Sequence, residues 1–295
     1  MSFPTLPRGA AYLKLFNPQK RNALSLGVLR DLKSQLTQYN TGASGELMML
    51  PRRESAAGRE LPQWLTSPDE WQKERSQLPK VLVLRSEGPV FSSGHDLREM
   101  RELGRQGTQE TFSLCAEIMG MIKSCPTPVV CPIQGLASAA GFQLAMCTDY
   151  PIALADTKFQ LPGMTIGLPC TSPATVVSRK IPPSLAYRMF ATGDAMRADQ
   201  LQGAVDVVPV PEHAESTDTR TKAFEQRVLQ VVERLVDLPA QPQAFGKWAF
   251  WTQLTITDSS EMEWAGQMMV KHSAGDDAKE GISAFLEKRR PKFQT

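Results

Sequence analysis

Apolar and polar positions alternate through Ala10-Ala-Tyr-Leu-Lys-Leu-Phe16, the two-residue period of a half-buried strand, and Asn17-Pro-Gln-Lys-Arg-Asn22 then reads as a turn. With Ser25 as N-cap, a helical period runs to about Tyr39. Lys80-Val-Leu-Val-Leu-Arg85 is continuously apolar, as a strand buried on both faces should be, and Phe91 to Asp96 forms a second short strand or turn. A helix from Gln109 to Ser124 and a strand from Pro128 to Ile133 follow. Small residues then lead into a short helix that starts near Ala140 and ends near Asp149, before two further strands, Pro151 to Ala155 and Lys158 to Leu161. This strand, strand, helix rhythm predicts an α/β fold of coiled ββα turns rather than a doubly wound sheet.

Two stretches break the rhythm. From residue 41 to 77 the composition shifts to Gly, Ser, Pro and charge, with Trp64 and Trp71 as the main apolar points and a helical signal only from Ser67 to Arg75. A loop of that length is unusual in a compact domain and reads as an insertion. Beyond Pro211 the pattern becomes helical, with segments near 212 to 237, 239 to 254, 258 to 273 and 276 to 288. The expected organisation is therefore a core over 1–210 carrying the insertion 41–77, and a helical region over 211–295.

Composition narrows the function classes. The chain has 295 residues, an ordinary apolar share, and a formal charge of +2 with both signs interspersed. No single-sign field is present to recruit nucleic acid or an anionic membrane. No apolar run reaches the roughly 20 residues needed for a membrane span. Five cysteines without a C-x-x-C pair suit reduced thiols inside a cell. The expected location is cytoplasmic from the sequence as given, and mitochondrial if a presequence has been removed. No dinucleotide glycine motif, phosphate loop, nucleophile elbow or zinc-protease motif occurs, and three scattered histidines give no metal site or serine triad.

The candidate chemistry lies in two segments, Phe91-Ser-Ser-Gly-His-Asp-Leu97 and Pro126 to Asp149, the second turning through Ser138-Ala-Ala-Gly141 into a helix. A strand turning into a helix exposes backbone N–H groups, and the small residues permit close approach. Together with Asn17-Pro-Gln-Lys-Arg-Asn-Ala-Leu24, Phe159 to Pro169 and Gly281 to Arg290, these segments resemble the enoyl-CoA hydratase/isomerase (crotonase) superfamily over nearly the whole chain outside the insertion. Ala139-Ala-Gly-Phe-Gln143 with Leu161-Pro-Gly-Met164 resembles most its enoyl-CoA hydratase domain-containing protein 3 subfamily.

The resemblance implies a crotonase-like spiral with a C-terminal helical trimerisation region, a homotrimer or homohexamer, and an acyl-CoA thioester as ligand, with coenzyme A part of that ligand and no separate cofactor. It assigns the thioester oxyanion to the N–H groups of His95 and Ala140. Gln143 and Gly163 stand where the family's hydratases carry their two glutamates. Lys20 and Arg21 match the phosphate contact, and Phe285 and Lys288 match the helix that packs on the adenine and its ribose phosphate. The His95 imidazole is open to two readings, bystander and base. Cys170, Thr171 and Ser172 read as small turn residues or pocket groups, Glu117 as a solvated helix charge or a pocket group, and Asp96 and Asp149 as capping or turn carboxylates. Met146, Met164, Met189, Met268 and Met269 read as core and interface filler. His213 and His272 fall among the C-terminal helices. The functional expectation is an acyl-CoA-binding enzyme running non-hydratase chemistry, such as an isomerase, thioesterase, decarboxylase or lyase. The alternative is a catalytically silent acyl-CoA sensor or oligomeric scaffold that meets partners through its trimer and the Trp64/Trp71 insertion.

Overall fold

The computed structural model describes residues 3–51, 61–201, 203–210, 217–256 and 260–295. In chain order the elements are β1 (Ala10–Leu15), α1 (Leu26–Asn40), α2 (Gln63–Thr66), α3 (Pro68–Arg75), β2 (Val81–Ser86), α4 (Leu97–Ser124), β3 (Val129–Ile133), β4 (Leu136–Ser138), α5 (Ala140–Cys147), β5 (Tyr150–Leu154) and β6 (Lys158–Gln160). They continue with α6 (Thr171–Lys180), α7 (Pro183–Thr192), β7 (Met196–Arg197), β8 (Asp206–Val208), α8 (Thr217–Val236), α9 (Ala240–Gln253), α10 (Glu261–Ser273) and α11 (Asp276–Leu286). Among the described residues no helix is long and apolar enough to cross a membrane.

The first compact unit comprises residues 1–36, 82–123 and 129–233. Its five-stranded sheet has the order β1-β2-β3-β5-β8, and a three-stranded sheet has the order β4-β6-β7. Strand β2 pairs in parallel with β3, and β3 with β5, through Leu82↔Val129 and Val130↔Tyr150. Successive turns of chain give one strand to each sheet and then a helix: β3, β4, α5, then β5, β6, α6. That is the ββα spiral expected from the rhythm of the sequence. Val81 to Leu84 and Val129 to Ile133 are buried along their whole length, which accounts for their unbroken apolar character. Helix α8 belongs to this unit as far as Glu233, with Glu225 paired to Arg85 of β2.

Residues 91–96 contribute isolated bridges, Ser92↔Ala137 and Leu24↔His95, so of the expected strand or turn the turn is found. One helix differs from the sequence expectation. Helix α4 begins at Leu97, twelve positions before Gln109, because Asp96 caps it: its Oδ1 accepts from the N–H groups of Arg98 and Glu99, both at 3.1 Å. Gly104, at φ 64° and ψ −162°, breaks the helical path inside α4.

The second compact unit comprises residues 37–81, 124–128 and 234–295. This division departs from the expected 1–210 and 211–295. Leu50, Leu61, Leu65 and Trp71 of the insertion pack in one core cluster with Ala240, Ala244, Phe245 and Trp248 of α9. Gln241 Nε2 also donates to the Leu65 carbonyl at 2.6 Å. Of the two tryptophans expected to meet a partner, Trp71 is buried and Trp64 packs against the same cluster. Residues 52–60 of the insertion lie outside the described residues. Asp277 accepts from the N–H groups of Gln294 and Thr295 at 2.6 and 3.2 Å, which ties the last residues to the start of α11.

Candidate active site

A buried asparagine ties the turn after β1 to the segment after β2. Asn22 Nδ2 donates to the carbonyls of Glu87 and Val90 at 2.6 and 2.9 Å, while its Oδ1 accepts from the N–H of Asn17 at 3.0 Å. Its φ of 53° lies in the left-handed region, which asparagine tolerates better than most residues. Ser92 Oγ donates to the Asn22 carbonyl at 2.7 Å, and the N–H of Leu24 donates to the Gly94 carbonyl at 2.8 Å. On the other side, the N–H of Ser138 donates to the Ser92 carbonyl at 3.0 Å. Residues 92–95 are thus held between the first turn and β4.

Strand β4 leads into α5 through Ala139, whose φ of 49° and ψ of −117° form a conformation normally left to glycine. Its N–H is anchored on the Gln160 carbonyl at 3.0 Å. Such a residue carries roughly 1–3 kcal/mol of strain, held by its surroundings. Ala139→Gly is expected to raise stability by about 1 kcal/mol, the relieved strain exceeding the added entropy of the unfolded chain, and thermal unfolding should show a midpoint higher by about 2–4 °C. A lower midpoint would contradict the strain. Gly94 and Gly141 bring the two segments together: a Cβ on Gly94 would lie 3.0 Å from the Ser138 carbonyl oxygen, and one on Gly141 would lie 2.6 Å from Ser92 Cβ. Ala140 opens α5, so its N–H has no acceptor within the helix. Among the described residues neither that N–H nor the N–H of His95 meets a protein acceptor.

Both residues line a cavity of about 630 Å³, together with Met100 and Phe112 of α4 and with Gly163 and Cys170. A smaller cleft of about 340 Å³, carrying Lys20, Arg21 and Asp96, shares Ser93, His95 and Leu97 with it. Lys20 Nζ meets Asp96 Oδ2 at 2.8 Å, and that hydrogen bond is the main reason the Asp96 carboxyl titrates below its ordinary range. The geometry joins an apolar cavity to a cationic mouth, with two free peptide donors in the cavity wall.

Gln143 is buried behind the wall, its amide facing the Ser172 hydroxyl at 3.2 and 3.3 Å. Gly163 admits no side chain: a Cβ there would lie 1.9 Å from the Leu168 carbonyl oxygen and 2.8 Å from Cys170 Sγ. The turn is closed on itself, with Leu168 N–H donating to the Gly163 carbonyl at 2.9 Å and Gly163 N–H donating to Cys170 Sγ at 3.2 Å. Burial pushes the Cys170 thiol upward, so it stays protonated near neutrality. Thr171 and Ser172 also line the cavity, and among the described residues no carboxylate does. Glu117 pairs with Lys33 at 2.7 Å and is half exposed, outside the lining. Asp149 accepts from the N–H of Val129 at the start of β3 at 2.8 Å, outside the cavity lining.

The remaining candidates belong to the second unit or lie outside the described residues. Phe285 is 82% exposed near the end of α11, and Lys288 follows that helix at φ 55°. Phe285 lines a cavity of about 770 Å³ among α9, α10 and α11, with Phe250, Trp264, Met268 and Ile282. His272 stacks near Phe245 with ring centroids 4.6 Å apart, and His213 lies outside the described residues. Met146 and Met189 are buried filler as expected, whereas Met164 and Met269 are exposed within this chain. Sequence reasoning missed Met100, which lies before the expected helix start, Phe112, which lies inside the expected helix without a sign that it faces a cavity, and Asn22, whose amide organises the wall.

The family model for enoyl-CoA hydratase/isomerase matches residues 71–295. The chain belongs to the enoyl-CoA hydratase/isomerase family. It is 32% identical over 286 residues to the mitochondrial enoyl-CoA hydratase domain-containing protein 3 of Rattus norvegicus, covering 96% of this chain and 81% of the relative. The human protein of the same name is 32% identical over 287 residues, covering 96% and 80%. The crystal structure of human enoyl Coenzyme A hydratase domain-containing protein 3 superposes with a TM-score of 0.76 at 30% identity, over 98% of each chain. An enoyl-CoA hydratase structure from Mycobacterium smegmatis gives a TM-score of 0.77 at 30% identity, over 99% of this chain and 98% of that one. The crotonase fold expected from the sequence is therefore the fold of this family member.

Proposed function

We propose that this family member binds an acyl-CoA thioester with its carbonyl oxygen between the N–H groups of His95 and Ala140, and that it does not run conventional hydration. The pair of peptide donors without protein acceptors on the wall of an apolar cavity carries the reading. Negative charge grows on a thioester oxygen during enolate or tetrahedral chemistry, and fixed donors stabilise it without reorganising. The N-terminus of α5 adds partial positive charge at the same place. The apolar cavity suits an acyl chain, and Lys20 and Arg21 in the adjoining cleft suit the phosphates of coenzyme A.

Hydration requires groups that activate water and deliver a proton, each worth about a hundredfold or more. Gln143 cannot exchange a proton near neutrality, and the backbone around Gly163 leaves no room for a carboxylate. Calorimetric titration with butyryl-CoA and crotonyl-CoA, with hydration followed in the same samples, tests the reading. Saturable binding with hydration at least roughly a hundredfold slower than a conventional hydratase is expected. No binding, or hydration at a conventional rate, would overturn it.

Assembly is proposed as a homotrimer or a dimer of trimers. Met262, Met269, Val270, Phe285 and Leu286 of α10 and α11 are each more than 70% exposed, more apolar surface than a monomer usually shows in one region. The location in the names of the rat and human relatives supports a mitochondrial compartment for this chain.

A further inference from the structure

Among the described residues lining the apolar cavity, two side chains carry a proton that can be exchanged, His95 and Cys170. The Cys170 thiol accepts from the N–H of Gly163, and burial keeps it protonated. Thr165, Thr171 and Ser172 supply hydroxyls that do not ionise in the working range. His95 is placed differently from all of these, because it borders both the cavity and the cationic cleft. Its ring stands edge-on to Phe112, with centroids 4.8 Å apart and planes at 70°, so it has little freedom to swing away. Its Nδ1 is buried without a hydrogen-bond partner. The parallel bridge Leu24↔His95 fixes the backbone that carries it.

We infer that the imidazole of His95 is the proton-transferring group of this cavity, taking a proton from Cα of a bound acyl-CoA while the peptide N–H groups of His95 and Ala140 hold the thioester oxygen. The inference rests on the acyl-CoA reading above and names the class of chemistry the same site performs. In the step, the Cα–H bond breaks and its electron pair forms the enolate C=C. The carbonyl π pair moves to oxygen, and the proton passes to a ring nitrogen. Return of the proton to Cα regenerates the starting thioester. Return to Cγ of a dienolate made from a 3-enoyl thioester gives the 2-enoyl isomer, with no oxidant, reductant or water consumed. A single base suffices for both directions, which suits a wall that carries one imidazole and no carboxylate among the described residues.

The charge state fits a base. Burial lowers the pKa of His95 below its ordinary 6.5, opposed in part by the backbone of Leu24, so the ring is neutral at pH 7. The charged neighbours in the adjoining cleft are Lys20, paired with Asp96, together with Arg21 and Arg98, and across the cavity stands the Cys170 thiol. Proton abstraction should therefore be lost as the pH falls through a value below 6.5 and level off above it.

The test is deuterium incorporation at Cα of butyryl-CoA in heavy water, read by mass spectrometry, alongside calorimetric affinities for wild type and His95→Gln. Glutamine retains the peptide N–H and removes the base. Wild type should exchange with a single ionisation below 6.5, and His95→Gln saturated with butyryl-CoA should exchange at least roughly a hundredfold more slowly. Exchange at the wild-type rate in His95→Gln would overturn the inference. So would wild-type binding without exchange above buffer, which leaves the acyl-CoA reading intact. Failure of wild type to bind butyryl-CoA would remove the acyl-CoA reading as well. Should His95→Gln fail to fold by circular dichroism, the wild-type pH profile decides: a rate flat down to pH values well below 6.5 contradicts the role of the imidazole.

Discussion

Gly163→Glu is expected to destabilise the protein by at least about 3 kcal/mol and to gain no hydration of crotonyl-CoA. The first atom of any side chain at this position would lie 1.9 Å from the Leu168 carbonyl oxygen, well inside van der Waals contact, and that oxygen belongs to backbone that cannot rotate aside. Relief requires opening the turn from 163 to 170, which breaks the hydrogen bonds from Leu168 N–H to Gly163 and from Gly163 N–H to Cys170. Thermal unfolding should show a midpoint lower by roughly 6 °C or more. Gly163→Ala should lose nearly as much, because the clash is at Cβ. A Gly163→Glu variant as stable as wild type, or one that hydrates crotonyl-CoA rapidly, would show that the site accommodates the second hydratase carboxylate after all.

Gly141→Ala is expected to leave the protein folded, about 1–3 kcal/mol less stable, and to weaken butyryl-CoA binding tenfold or more. The added methyl would lie 2.6 Å from Ser92 Cβ and 2.8 Å from the Ser92 carbonyl oxygen. Carbon atoms pack at about 3.5–4.0 Å, so the start of α5 and the segment from 92 to 95 must separate by roughly 1 Å. Those two pieces of backbone each carry one of the free N–H groups, Ala140 on one and His95 on the other. A separation of that size takes at least one donor out of hydrogen-bond range of a shared oxygen. Calorimetry and thermal unfolding on the same samples distinguish the two effects. Lowered stability with unchanged affinity would mean that the donors do not share a ligand atom.

The spiral was legible because its strands are buried on both faces. Val81 to Leu84 and Val129 to Ile133 need no alternation, and small residues from Ser138 to Gly141 are required wherever a strand passes so closely beside another segment. The resemblance to the family pointed to the N–H groups of His95 and Ala140, and the structure leaves both without a protein acceptor among the described residues. The insertion was harder to read. Its polar composition hides the apolar anchors Leu50, Leu61 and Leu65, and the partners of Leu65 and Trp71 are in α9, with the Gln241 to Leu65 hydrogen bond spanning 176 positions. The early part of α4 was missed because Gly104 and Gly107 weaken a helical period that Asp96 nevertheless starts by capping. Met100 and Phe112 enter the cavity wall from that helix, so the shape of the cavity was not available from local pattern. That Gly163 has no space for a side chain follows only from the path of the turn to Cys170.

Isotope-edited infrared spectroscopy of butyryl-CoA labelled with carbon-13 at the carbonyl, free and bound, tests most directly whether the thioester carbonyl sits between the peptide N–H groups of His95 and Ala140. Two donors on one oxygen lengthen the C=O bond, so the bound carbonyl band should move to lower frequency and should return toward the free value in Gly141→Ala. A bound carbonyl band at the frequency of the free thioester would contradict the account.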